Sequence, residues 1–489
     1  MNDSRLVRML RTFSNSEFRE FEKFVDYPYF SQGRDLSKFF KTLKPFYPEF
    51  DESKFTAEYL FKDLYPGKIF DEKTSGNILY KLSSELYKLC REFLIQTEFS
   101  KDTSRRSFYL LNQLRQKKLY KDFDREYINT EQSAEDTFKG GVNDFLNKYL
   151  LRESFLEYSL EKCDFRNGFD SILKQGEYSV LIALIKGFRN IDTNFTSKYF
   201  NIDVRYNLVD NFIKHLDSEK LLEEMRINND EFYFYAAINY AIHKMFFYPE
   251  VNEHYFLFKK LLYENLSLFG QTEKYILFQT LISYCIKKID GDDRELFIRE
   301  EFENYKTTIE LGVYKYNKED KININAFRNI LSSAIDNREI DWLEGFAEGY
   351  ISELHEMYRE NMKLYASAYI NFKRKHFEKA LECISKVKYD LFLFKMDVKN
   401  LMFRIYFELG YFEQAHSILN AMKQYLINTN ELSDKFKLRE GNFAKFAEQL
   451  LRAKTKESKI DVSYYKNILD NDKFLSSRKW LIDKINELD

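Results

Sequence analysis

The side chains able to do chemistry are few in this chain and poorly spaced for it. Six histidines stand at positions 215, 243, 254, 355, 376 and 416, and no two are four residues apart. His355 followed by Glu356 lacks the second histidine that a helical zinc-protease site requires. Glu413 and His416 form the one Glu-x-x-His, whereas a di-iron bundle uses two such pairs and two further carboxylates. These two residues read as surface neighbours on a helix. The acidic run Asp290 to Asp293 has Glu295 where a calcium-binding loop needs glycine, so it reads as a solvated turn. Cys90, Cys163, Cys285 and Cys383 lie 73, 122 and 98 residues apart, too far for a metal knuckle or a redox pair. Reduced thiols, three of them among apolar helical residues, are expected. His243 shares a helical face with Tyr240 and Phe247 and reads as a packed histidine, because no nucleophile can be tied to it. No phosphate-gripping glycine loop occurs, and Gly140-Gly141 runs into Val-Asn-Asp. No catalytic residue, metal or cofactor is therefore expected.

Composition describes the elements that must carry whatever function remains. The 489 residues exceed one ordinary hydrophobic core, which leaves either several domains or a repeat array. Only 5 prolines and 15 glycines are present, and beyond Pro66 the single proline is Pro249. So few breakers over so long a stretch imply a helical body. Lys and Arg number 76 against 78 Asp and Glu, a balance that excludes a globally basic nucleic-acid binder. The 48 Phe and 36 Tyr recur at helical spacing and read as packing residues. The segments 180–185 and 232–248 fail as membrane spans, one by its length and the other by Asn239, His243 and Lys244. The first residues lack the apolar stretch of a secretion signal, so a cytoplasmic location without membrane insertion is expected.

Along the chain, Ser14 and Glu17 form a capping box for a helix carrying Phe18, Phe21 and Phe24 that stops before Pro28. Short helices follow around Phe39 and Leu60, and then Ile78, Leu79, Leu82, Leu86, Leu89, Cys90 and Phe93 mark the cleanest amphipathic stripe. Residues 1–100 thus read as a compact helical cap and 101–350 as helical hairpins without a readable consensus. Residues 431–489 read as closing helices bearing Phe443, Leu450, Trp480, Leu481 and Ile485.

The tract 351–430 is the most regular. Phe377, Ala380, Leu381, Ile384 and Val387 are followed, thirty-five residues after Ala380, by Ala415 in the order Phe412, Ala415, Leu419, Met422, with Gly410 at the turn. This arrangement resembles the tetratricopeptide family, which places small residues where paired helices cross and glycine between them. Ser367 and Asn371 depart from that pattern, and so does the lack of a repeat-ending proline. Trp342 and Leu343 look like a degenerate earlier second helix. The resemblance implies an all-α, right-handed α-α superhelix whose groove binds a protein or peptide. Carried over, the groove positions are Met362, Tyr365, Tyr369, Phe372 and Lys373 on one first helix, and Asp397, Asn400, Arg404, Phe407 and Glu408 on the next. Three aromatics with a lysine, beside Asn and Arg, suit an extended or helical peptide. The alternative packs Tyr365 and Tyr369 against the preceding hairpin. Residues 55–94 resemble the helical part of winged-helix regulators, which would make Lys81, Lys88 and Arg91 phosphate contacts. Against that, residues 1–100 carry 16 basic and 16 acidic side chains. An enzyme site assembled from distant residues is a third reading.

Overall fold

The computed structural model describes residues 4–27, 29–30, 35–50, 55–199, 202, 206–388, 392–429, 432–455, 461–472 and 474–488. Among them the fold is all-α, with helices packed in successive neighbouring pairs and no strand beyond an isolated bridge between Ile322 and Leu354. No described helix is long and apolar enough to cross a membrane.

Two compact units are present: Met1–Asp136 with Leu150–Ile172, and Thr137–Tyr149 with Leu173–Asp489. The first unit opens with the expected capping box. The Ser14 hydroxyl accepts from the Glu17 amide and the Glu17 carboxylate accepts from the Ser14 amide, starting the helix Asn15–Val25. Pro28, expected to end this helix, lies outside the described residues. Phe18, Phe21, Phe39, Phe40, Leu60, Leu86 and Phe93 meet in one aromatic-rich core. The amphipathic stripe belongs to the helix Glu72–Lys101, which stays helical past Leu94 where a winged-helix domain would turn into its hairpin.

In the second unit the first helices of successive hairpins begin at residues 233, 271, 324, 356, 392 and 434, at intervals from 32 to 53 residues. Trp342 and Leu343 fall on the helix Ile340–Tyr350, the second of its pair. Ala380 and Ala415 are fully buried in the continuous core that runs from Ile282 to Ile485. Their small side chains let paired helices approach closely.

One turn recurs in both units. Helices ending at 116, 161, 336, 373 and 408 are each followed by three residues and then the next helix. The middle residue is left-handed every time: Lys118, Cys163, Arg338, Lys375 and Gly410, with φ between 59° and 74°. The amide after it donates back five residues, from Leu119 to Leu114, Asp164 to Ser159, Glu339 to Ala334, His376 to Asn371 and Tyr411 to Tyr406, at 2.8–3.0 Å. This hydrogen bond satisfies a carbonyl at the helix end and reverses the chain.

Left-handed backbone costs an ordinary L-residue roughly 1–2 kcal/mol and glycine almost nothing. Gly410→Ala should therefore lower the unfolding free energy by about 1 kcal/mol, and Lys375→Gly should raise it by a few tenths to about 1 kcal/mol. Urea midpoints at constant slope would read both. Shifts of the same sign would show that the left-handed residue is not the limiting feature of the turn.

Candidate functional site

The first helices Ile324–Asp336, Glu356–Lys373 and Phe392–Glu408, with Asp434–Lys454, supply a polar face in the second unit. The array curls enough for Lys435 of the last of these to pair with Asp290 at 2.7 Å. At the centre, Arg328 binds Asp397 through two nitrogens on one edge of its guanidinium, Nε donating to Oδ2 and Nη2 to Oδ1 at 2.8 Å. The Tyr365 hydroxyl donates to the other Asp397 oxygen at 3.1 Å. A bidentate, charge-assisted pair of this kind fixes orientation as well as contributing energy.

Seven of the expected groove residues are buried: Met362, Tyr365, Tyr369, Phe372, Asn400, Arg404 and Phe407. Asp397 and Glu408 are half-buried, and Lys373 alone is exposed. Met362 sits in the core without a polar role. Tyr365 meets Tyr369 edge-on at 5.0 Å and Phe394 at 5.5 Å. The Arg404 guanidinium lies over Phe372 at 5.0 Å and Tyr369 at 5.8 Å. Arg404 is only 5% exposed, and its Nε has no hydrogen-bond partner. Such cation-π contact offsets part of the desolvation of an arginine but gives it no counter-charge.

The other half of this stripe faces the chain's own last helix, Arg478–Asn486. Asn400 accepts from the Ser477 hydroxyl at 3.0 Å and stands 3.4 Å from Ser476. Ser476 donates to Glu440 at 3.0 Å. Glu408 accepts from the Trp480 indole at 2.7 Å and from Lys484 at 2.9 Å, while Phe403 and Phe407 meet the Trp480 ring edge-on. Lys479 reaches back to Glu295 at 3.0 Å. Sequence reasoning assigned Trp480, Leu481 and Ile485 to a closing helix. It missed Arg328, Glu440 and Lys484, for which the one available signal was the four-residue step from Trp480 to Lys484.

Titration is displaced around this face. Crowding by protein desolvates the Lys373 ammonium, and Arg404 and Arg338 repel it; together they outweigh Asp336 and Asp483 and push it down to about 8 although the residue still reaches water. Asp336 is raised by desolvation against the pull of Lys373 and Arg294. Burial pushes Glu301, on the helix Arg294–Glu310, up to about 8, and the charge of Asp336 adds to the shift.

The remaining chemical candidates are committed to structure. His243 packs among Phe188, Tyr240 and Phe247, and burial lowers its basicity. The four cysteines are free, with Cys90 and Cys285 buried and Cys163 exposed. Asp290 pairs with Lys435, Asp293 with Lys288 and Glu295 with Lys479. Glu413 and His416 are exposed, and His416 contacts Asn420. Among the described residues no group of three or more His, Cys, Asp or Glu is placed to hold a metal. In the basic turn after Phe372, Arg374 pairs with Glu344 and Asp341.

Glu301 carries a stability consequence. Its native pKa lies above the unfolded value of about 4.3, so from there to about 8 the native state keeps a proton the unfolded chain has lost. Stability contributed by this group is full below the window and declines as pH rises through it. Glu301→Gln should flatten that decline and leave the variant more stable than wild type at pH 8 by about 1 kcal/mol or more, in denaturant melts at pH 5 and pH 8. An unchanged pH slope would refute it. Lys373, for its part, should acylate with an amine-reactive ester at pH 7.5 faster than ordinary surface lysines, read by peptide mass spectrometry. Arg404→Ala should slow it, and a Lys373 rate equal to its neighbours' would contradict the shift.

Comparison with protein-family models, with curated proteins and with solved structures gives no match to this chain.

Proposed function

We infer that the chain is a non-catalytic, cytoplasmic scaffold of tetratricopeptide-like build, which binds a helical segment of a protein partner on the inner face of its second unit. The observation that carries this reading is the stripe Asn400, Arg404, Phe407 and Glu408, which at every position but Arg404 has a partner on Ser477 or on the helix Arg478–Asn486, more than seventy residues further along the chain. Aromatic rings, an arginine and a paired carboxylate on one stripe are the elements from which helix-in-groove recognition is built. Lys373 and Arg404 add a cationic spot suited to a carboxylate on the partner.

The test is affinity purification from the native cell with wild type and with Lys373→Glu, Arg404→Ala, both checked for equal helicity and melting. A protein recovered with wild type should fall at least tenfold with the double variant. Recovery of every partner unchanged would falsify the inner face as the binding surface.

A further inference from the structure

We propose that the helix Arg478–Asn486 is a built-in ligand of this inner face: it keeps the site closed, and an amphipathic partner helix of matching chemistry displaces it. This rests on the reading of the inner face as a binding surface. Four features distinguish a ligand from one more repeat helix.

The first is where the helix docks. In a stacked array each unit contacts its neighbour in order. Arg478–Asn486 packs on the two helices before it, Asp434–Lys454 and Val462–Asn471, and in addition reaches Glu408, with Ser477 at its start reaching Asn400, some seventy residues back, while Lys479 reaches Glu295, 184 residues back, and the Asp336 carbonyl, 143 residues back. Nine residues thus touch several hairpins at once, as a groove-bound peptide does.

The second is how it docks. Trp480, Leu481 and Ile485 bury an apolar edge. At the Glu408 end of the seat the contact is polar: the Glu408 carboxylate takes the indole N–H on one oxygen and the Lys484 ammonium on the other. Lys484 is 9% exposed, and Glu487 completes its pairing at 2.6 Å. A buried ion pair adds little net stability compared with apolar packing, but it selects orientation and partner.

The third is how weakly the helix is prepared in isolation. It is nine residues long, below the length at which a detached helix persists in water. It starts from Ser477 in the left-handed region, φ 51°, with no side-chain cap. Undocking is therefore coupled to unfolding of the segment, which gives up part of its docking energy and leaves room for a competitor.

The fourth is what the helix fails to satisfy. Arg404 lies on the same stripe, between Asn400 and Glu408, which both bond to the terminal segment. It is almost fully buried, with its Nε unpartnered; the Asp336 carboxylate acts on it through space but forms no ion pair with it. The facing segment offers Ser476 and Ser477 on one side and Trp480 on the other. A partner helix that repeats the aromatic, the aliphatic edge and the lysine one turn later, and adds a carboxylate opposite Arg404, makes every contact the resident helix makes and one more. That is the chemistry expected of the displacing partner.

The experiment uses the full chain and a fluorescein-labelled synthetic peptide covering residues 474–488. Anisotropy titration compares wild type, Lys484→Glu, which sets a second carboxylate against Glu408, and Glu408→Lys. The Lys484→Glu chain should bind the peptide at least tenfold more tightly than wild type. Glu408→Lys should lose the native peptide and regain binding to a peptide carrying Lys484→Glu. Equal binding by wild type and Lys484→Glu overturns self-occupancy while leaving the groove intact; no binding by any folded chain overturns both. Hydrogen exchange on the unsubstituted chain decides even where a variant fails to fold. Amides of 480–486 should exchange at least tenfold faster than those of Phe392–Glu408 beneath them, and equal rates would make the helix a permanent part of the core.

Discussion

The three-residue reversal, with its backbone hydrogen bond running back five residues, is the constraint on which the rest of the molecule depends. A helix end leaves carbonyls without partners, and in a chain with few glycines and prolines something else must end each helix reproducibly. Here a single left-handed residue does so, five times with the same spacing and the same bond. Because the reversal is short, consecutive helices must run antiparallel and in contact. Each hairpin then exposes an apolar face that only the next hairpin can cover, so stacking follows from the turn. Four of the five turns place an ordinary residue in the left-handed region, where it costs roughly 1–2 kcal/mol. That cost is met by the burial each hairpin gains on its neighbours, for which Phe327, Phe346, Ile370 and Leu401 in one continuous core are the evidence.

The polar inner face obeys a different rule. Stacking requires only apolar edges, yet Arg328, Asp397, Asn400, Arg404 and Glu440 are withdrawn from water on first helices. Burying such groups is costly unless each finds a partner. Arg328 and Asp397 satisfy one another, and Asn400 and Glu440 are satisfied through Ser476 and Ser477. Arg404 is left with ring faces and the charge of Asp336 acting from beyond ion-pair distance. Raised Glu301 and Asp336 and lowered Lys373 are the titration signature of the same desolvation. The face is thus electrostatically unfinished at one point and finished elsewhere by the terminal segment.

Much of the fold was legible because it follows from local rules. The capping box at Ser14, the stripe from Ile78 to Phe93 and the small residues Ala380 and Ala415 each encode their element in a few neighbouring positions. The hairpins before residue 350 resisted reading because their turns use Lys118, Cys163 and Arg338, where a family pattern leads one to look for glycine, and because they start at unequal intervals. The candidate site divides the same way. Asp397, Asn400, Arg404, Phe407 and Glu408 share a helical stripe visible as spacing alone. Their partners Arg328, Trp480 and Lys484 lie between 69 and 76 residues away, and nothing local announces such a pairing.

Curvature connects these observations. In a solenoid with a uniform repeat each hairpin rotates on the last by the same small angle, so the curvature is constant along the array. This array is not uniform. The longest interval, from residue 271 to 324, contains the segment between Glu310 and Ile324, whose Ile322 pairs with Leu354 beyond the next hairpin. Past that point the array turns back far enough for Lys435 to meet Asp290. Only in an interior that narrow can one nine-residue helix touch Glu295 and Glu408 together, because both side chains must lie within reach of its two lysines. A ligand that bridges several hairpins at once is bound through their relative arrangement, so its affinity depends on the curvature of the array as well as on the contacts it makes.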